Sequence, residues 1–266
     1  MTIIADYLSI CEQAARAGGQ VLQQWVDRFS VREKGWGDLV TEADFEAQKT
    51  IREIIRGTFP EHAMLAEAQD AASDPSTSAE FRWLVDPLDG TMNYVHGVPH
   101  YATSVALEHR GELLVGVVFD PCLDECFTAA AGHGAHLNGK PIRTSEVTEP
   151  DDALAAVGFP PGMAENAPDL LVFLEVVTRC QGIRRTGSAA LNLCYVAAGR
   201  FDFYWSFATK IWDVAAGVLM VREAGGEVTA PDGRPFDLDS AQFLTAANRR
   251  LHTRVQPMVD AGIGRR

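Results

Sequence analysis

The chain has 266 residues, of which 47% are hydrophobic, a net charge of −13 and a pI near 4.9. That length and apolar content suffice for one large core or two modest ones. The acidic balance speaks against a nucleic-acid backbone or an anionic membrane as partner, but not against a phosphorylated substrate, because bound cations invert a local field. No run reaches the roughly 18 apolar residues of a membrane-spanning helix, and Met1–Asp6 lacks the basic flank and cleavage pattern of a signal peptide. A soluble, cytoplasmic protein is expected. Cys11, Cys122, Cys126, Cys180 and Cys194 are odd in number and widely spaced, which predicts reduced thiols rather than a disulfide framework or a zinc site.

In chain order, apolar residues at helical spacing predict a helix over 3–27. Phe45, Ile51, Ile54 and Ile55 mark a second helix that ends at Phe59-Pro60. Ala63–Glu67 and Arg82–Val85 read as strands that deliver acids at a sheet edge. Residues 101–109, 113–119 and 125–130 are strand-like, followed by turn or hairpin signals at Gly132–Ala135 and Asn138–Lys140. The composition shifts near Thr148–Asp152. Beyond it strands at 154–158, before Thr186, at 201–205 and at 243–246 alternate with helices at 167–181, 189–199, 212–224 and 249–261. The expected organisation is a residue 1–150 subdomain of helices on a largely antiparallel sheet, carrying most of the candidate ligands, and a residue 151–266 α/β subdomain.

The chemistry concentrates in Trp83–Thr91. An apolar strand runs into Asp86-Pro87-Leu88-Asp89-Gly90-Thr91, where Pro87 fixes one dihedral and Gly90 permits a tight turn. Two carboxylates can converge there, ahead of a helix start that aims free N–H groups at an anion. The alternative is a plain strand-turn-helix junction with Asp89 as a helix cap. Glu67, Asp44 and Asp213, each at an element boundary, favour the metal-and-phosphate reading, although each could also serve as a cap or turn acid. A covalent phosphotransferase of the Asp-x-Asp-Gly-Thr type needs aspartates two apart, whereas Asp86 and Asp89 are three apart.

These residues resemble the inositol monophosphatase family. Asp86–Asn93 matches its Asp-Pro-(Ile/Leu)-Asp-Gly-Thr-x-Asn motif, and Trp212–Gly217 with Glu223–Gly226 matches its Trp-Asp-x-Ala-Ala-Gly and Glu-Ala-Gly-Gly motifs. Asp38–Asp44 matches the Asp-Leu-Val-Thr-x-x-Asp element, and the resemblance runs in order from about residue 5 to 260. It implies a layered α-β-α-β-α fold and a lithium-sensitive phosphomonoesterase using two to three Mg²⁺ ions, commonly as a homodimer. It implies that Glu67, Asp86 and the Leu88 carbonyl hold one ion, that Asp86, Asp89 and Asp213 hold a second, and that Glu67 faces a weaker third. Asp44, Glu67 and Thr91 would position or deprotonate the attacking water. Asp89, Gly90 and Thr91 would take the phosphate, while Gly187, Ser188, Ala189, Ser206 and Asp213 would contact the alcohol.

Two departures matter. The family usually shows Gly-Glu-Glu where this chain has Ala66-Glu67-Ala68, which bears on the third ion and on lithium. Many members carry a ring-binding glutamate seven residues before the second-motif aspartate, and here that position is Ser206. By resemblance inositol 1-monophosphate is the first expected substrate, with fructose 1,6-bisphosphate and 3′-phosphoadenosine 5′-phosphate as alternatives, and Ser206 leaves the choice among them open. A non-catalytic regulatory homologue is the different-class reading, but it would be expected to lose ligands that this chain retains. His96 and His100 are expected to be structural, Lys210 to be solvated, and Lys34-Gly35-Trp36-Gly37 to form a mobile loop.

Overall fold

The computed structural model describes residues 3–35, 38–68 and 80–264. Helix α1 (Ile3–Trp25) is followed by an antiparallel pair, β1 (Val31–Gly35) and β2 (Asp38–Thr41), and by α2 (Glu42–Thr58). Seven strands then form one sheet in sequence order. They are β3 (Ala63–Ala66), β4 (Phe81–Asp89), β5 (Ala102–His109), β6 (Glu112–Asp120), β7 (Glu125–Ala130), β8 (Ala135–Leu137) and β9 (Lys140–Ile142), with the short helix α3 (Thr91–Val95) after β4. Only the β3–β4 pairing is parallel.

The later half contributes β10 (Leu154–Val157), α4 (Pro168–Val176), β11 (Gly182–Arg184), α5 (Ala189–Ala197), β12 (Phe203–Ser206), α6 (Ile211–Glu223), β13 (Glu227–Thr229), β14 (Phe243–Ala246) and α7 (Arg249–Ile263). Its sheet runs β11-β10-β12-β14-β13, parallel across the first three strands and antiparallel thereafter.

Strand alternation explains the layering, since successive side chains face opposite sides of a sheet. Trp83 and Val85 face α1 and α2, whereas Leu84 between them joins the core under α5 and α6. In the second sheet Tyr204 and Phe243 face that same inner core, while Phe203, Trp205 and Leu244 face α4 and α7. The result is an α+β molecule in five layers, with α5 and α6 sandwiched between two sheets. The break between the sheets falls near residue 150, yet the α5–α6 core draws on both.

Several expected elements differ in the structure. The β1–β2 pair and β13 were not foreseen; their Arg, Glu, Lys and Asp residues and their lengths of three to five residues give little apolar pattern. Helix α4 is shorter than 167–181 because a turn with Arg179 N–H on the Val176 carbonyl ends it. Strand β4 extends past Val85 through Asp89. Trp36 and Gly37 of the expected mobile loop lie outside the described residues. All five cysteines are free, and no helix among the described residues is long and apolar enough to cross a membrane.

Asp169 in the first turn of α4 is buried and accepts from the Phe207 N–H at 2.9 Å, pinning the segment that leads from β12 into α6. Burial pushes its carboxyl up to about 6, against the Phe207 and Asp169 amides, which lower it. The folded state therefore holds this proton more tightly than the unfolded chain, whose Asp titrates near 4. The contribution of Asp169 is most favourable below its unfolded pKa and is lost as pH rises toward about 6. Asp169→Asn should flatten the fall in melting temperature across that window, and an unchanged slope by calorimetry would remove Asp169 as its source.

Candidate active site

The site begins with an irregularity in β4. Asp86 pairs with Ser104 of β5 and Asp89 with Ala102, so two residues of β4 oppose only Thr103. In a regular strand, residues three apart face opposite sides. One extra residue restores them to the same side. The bulge falls on Pro87-Leu88, where proline has no N–H to lose from the ladder. The Thr103 hydroxyl donates to the Pro87 carbonyl at 3.0 Å, and the Leu88 N–H donates to Asp86 Oδ1 at 3.0 Å. Asp86 and Asp89 thus both face the α5–α6 layer, and both are buried, at 2% and 7% exposure.

Other elements bring acids to the same place. Glu67 follows β3 and is held beside β4 by its N–H on the Val85 carbonyl at 3.2 Å. Its carboxyl acts on that of Asp86 and raises its pKa. Asp213 lies in the first turn of α6, where the Lys210 N–H donates to its Oδ2 at 2.8 Å. Burial, then the charges of Glu67, Asp89 and Asp213, push the Asp86 carboxyl well above its ordinary value. Burial and then Asp89 do the same to Asp213. Asp89 rises only to about 6, because burial is opposed by Ser188 and by the Ala190 and Ala189 amides.

Those contacts tie Asp89 to the start of α5. It accepts from the Ser188 hydroxyl, from Ala190 N–H at 2.7 Å and from Ala189 N–H at 3.1 Å. Charge-assisted bonds to a helix N-terminus favour the ionised carboxylate. Ser188 is also the N-cap of α5, accepting from Leu191 N–H. The Ser188 hydroxyl and the Ala189 amide, expected on the alcohol, therefore stand on Asp89 in this structure. Gly187 takes φ of +95°, and a Cβ there would lie 2.9 Å from Asn93 Nδ2. Asn93 donates to the His100 and Thr186 carbonyls at 2.7 and 2.9 Å, joining α3 to the approach to α5. That latch was not read from the sequence, although Asn93 closes the first motif.

Asp44 is the N3 acid of a capping box at α2. Its Oδ2 accepts from the Thr41 N–H and hydroxyl at 2.9 and 2.7 Å. The Thr91 hydroxyl donates to the Leu88 carbonyl at 3.0 Å. Ala68 is buried, with its N–H on Gln48 Oε1 at 3.1 Å. His96 closes α3 by its backbone, and His100 packs edge-on to Tyr195. The Lys210 side chain is exposed.

A cavity of about 470 Å³ opens over these residues. Glu67, Asp89, Gly90 and Thr91 line it, together with Gly187, Ser188 and Ala189. Ser206 is in the same lining, with Gly158, Phe159, Arg185, Asn192 and Tyr204, none of which stands out in the sequence. Asp44, Asp86, Leu88 and Asp213 are not in this lining.

The donor set suits a hard divalent cation, which prefers carboxylate and carbonyl oxygen. Glu67, Asp86, Asp89 and Asp213 crowd negative charge at a buried point, and their mutual repulsion is what a cation relieves. Among the described residues, no three Asp, Glu, His or Cys side chains already stand as a coordinating group. The fit lies in donor chemistry and uncompensated charge rather than in a preformed cage.

Residues 5–262 match the model of the inositol monophosphatase family. The chain is 41% identical to an inositol-1-monophosphatase of Rhizobium meliloti, across 89% of this chain and 90% of that one. It is 39% identical to a Pseudomonas aeruginosa protein named Nus factor SuhB, across 97% and 98% of the two chains. Among solved structures, the inositol monophosphatase of Anabaena superposes with a TM-score of 0.86 at 37% identity, covering 97% of each chain. The extragenic suppressor protein suhB of Bartonella henselae gives 0.89 at 36% identity, covering 96% of this chain and 98% of that one. A bulged strand that presents paired aspartates to two helices, in a five-layer fold shared with these proteins, places the chain in the inositol monophosphatase family, a family of metal-dependent phosphoric monoester hydrolases.

Proposed function

We propose that the protein is a Mg²⁺-dependent phosphomonoesterase acting on a small phosphorylated polyol, with inositol 1-monophosphate as its reference substrate. The observation that carries this reading is the gathering of Glu67, Asp86, Asp89 and Asp213, each charge raising the cost of the next, beside a cavity of ligand size. Burying like charges together is unfavourable for folding alone. Retention of the whole set supports catalysis over a purely regulatory role.

In this reading Glu67, Asp86 and the Leu88 carbonyl would hold one ion, and Asp86, Asp89 and Asp213 would hold another, with Glu67 available to a third. Bound divalent cations supply neutralisation of phosphate charge and a more acidic water. The chain's own residues do the rest. Gly90 and Thr91, which line the cavity, would cradle the phosphate, and Thr91 with Asp44 and Glu67 would orient the attacking water. The Thr91 hydroxyl is already aimed by the Leu88 carbonyl, and Asp44 is fixed by Thr41. Gly187, Ser188, Ala189, Ser206 and Asp213 face the alcohol, with fructose 1,6-bisphosphate and 3′-phosphoadenosine 5′-phosphate as alternative esters. We further propose a homodimer, for which Leu174 and Val177, 49% and 41% exposed at the end of α4, offer apolar surface. Light scattering reads its mass directly.

The deciding experiment is a panel assay of the three esters with and without Mg²⁺. Phosphate release from at least one, abolished by EDTA, is expected, and indifference to all three would sink the substrate assignment.

Asp89→Asn should lower turnover by orders of magnitude. An asparagine keeps an acceptor oxygen for the Ala190 N–H, so the melting temperature should stay close to that of the parent. Near-normal activity would remove Asp89 from the machinery.

Asp86→Asn removes a charge that Glu67, Asp89 and Asp213 all oppose, so the metal-free protein should melt higher than the parent. In the parent, Mg²⁺ should raise the melting temperature through preferential binding to the folded state. That shift should shrink in Asp86→Asn. A Mg²⁺ response equal to that of the parent would contradict the assignment. Li⁺ should inhibit by competing for a Mg²⁺ position; a flat curve through millimolar Li⁺ would count against that competition.

A further inference from the structure

The cavity carries one positive charge that the acid cluster does not use. Arg185, just ahead of α5, is the only lysine or arginine in its lining among the described residues. The acids of that lining are Glu67 and Asp89, both assigned above to cations, and its other side chains are uncharged. The guanidinium is anchored there, because its Nη2 donates to the carbonyl of Phe159 at 3.2 Å and Phe159 lines the same cavity. That single contact leaves most of the five N–H donors of an arginine unused.

The lack of an acid beside it is unusual in this chain. Asp and Glu number 36 against 23 Lys and Arg. Arg82, Arg179 and Arg200 each stand against a carboxylate. Arg185 is exposed and forms no ion pair with any described residue. Its distance from the proposed phosphate position is bounded by the chain. The Ser188 hydroxyl stands on Asp89, and Arg185 lies three residues earlier, so the two Cα atoms are at most about 11 Å apart. A sugar that bears a phosphate at each end spans a distance of that order.

We infer that Arg185 is a specificity-determining residue that receives a second anionic group, a phosphate or carboxylate on the alcohol, so that the preferred ester is doubly anionic. This rests on the phosphatase reading for the placement of the first phosphate. A guanidinium meets such a group with two parallel N–H donors, a fit that a lysine ammonium cannot reproduce. Because the side chain is exposed, the pairing is weakened by salt.

The test uses pairs of esters that differ only in the second phosphate: fructose 1,6-bisphosphate with fructose 1-phosphate, and 3′-phosphoadenosine 5′-phosphate with adenosine 3′-phosphate. At low salt the kcat/KM of the parent should favour the doubly charged member of at least one pair. Arg185→Gln should lower kcat/KM about tenfold on that ester, chiefly through KM, and less than about twofold on its singly charged partner. The melting temperature should not move, since the side chain is exposed. Arg185→Lys should recover part of the loss, and high salt should shrink it. Arg143→Gln removes the same charge from an exposed position outside the cavity and should leave the selectivity intact. Binding of the same esters is measured by calorimetry with Ca²⁺ replacing Mg²⁺. Tighter, Arg185-dependent binding of the doubly charged esters, with no turnover of any ester, would defeat the phosphatase reading and leave this one standing. Hydrolysis of inositol 1-phosphate with neither hydrolysis nor binding of a doubly charged ester would do the reverse. A parent without preference for the doubly charged member of either pair, an equal loss within each pair, or a loss that Arg143→Gln reproduces would each overturn the inference.

Discussion

Two aspartates three residues apart reach one side of a strand only if the strand miscounts by one. The Pro87-Leu88 bulge does this, and the rest of the site depends on it. The turned pair faces the helical layer between the sheets, where little water remains to screen charge. Each ionised carboxyl then makes the next harder to ionise, which is why Asp86 and Asp213 are displaced so far upward. The chain answers part of this repulsion itself. The first amides of α5 and the Ser188 hydroxyl bind Asp89, so it shifts least of the three.

Close packing delivers the partners. Gly116 on β6 meets Ala216 of α6, and a Cβ at 116 would lie 2.8 Å from the Ala216 Cα. The helix can therefore approach the sheet, which sets Asp213 near Asp86. The Ser104 hydroxyl reaches the Trp212 carbonyl at 3.4 Å, one residue from that acid and opposite Asp86 in the β4–β5 register. Asn93 fixes the other helix by joining the chain after the bulge to Thr186, just ahead of α5. The five-layer stack thus fixes distances between acids that lie far apart in sequence.

This arrangement explains which features are legible in the sequence. Asp86–Thr91 was legible because acids, proline and glycine follow an apolar run, and few structural needs call for that combination. Glu67 and Asp213 were legible as boundary acids, while their proximity required the whole topology. The α5 start showed its cap in Gly187-Ser188, but not that the cap and its amides would serve Asp89. Tyr204 in the cavity lining gave no sign, because Phe203-Tyr204-Trp205 reads as an apolar strand. The β1–β2 pair escaped for the opposite reason, being too polar and short to show a period.

Charge balance links the acid cluster to the residue at position 206. When ionised, Glu67, Asp86, Asp89 and Asp213 carry four negative charges, which two divalent cations would match; the phosphate then adds further negative charge at the same end. A third cation would need more anionic support, and Ala68 offers only a backbone amide, already bound to Gln48. A carboxylate at position 206 would add charge at the alcohol's end of the cavity. Ser206, which can donate and accept, adds none. On the proposed reading, the same electrostatic constraint that draws cations to the acid cluster favours an uncharged residue at position 206.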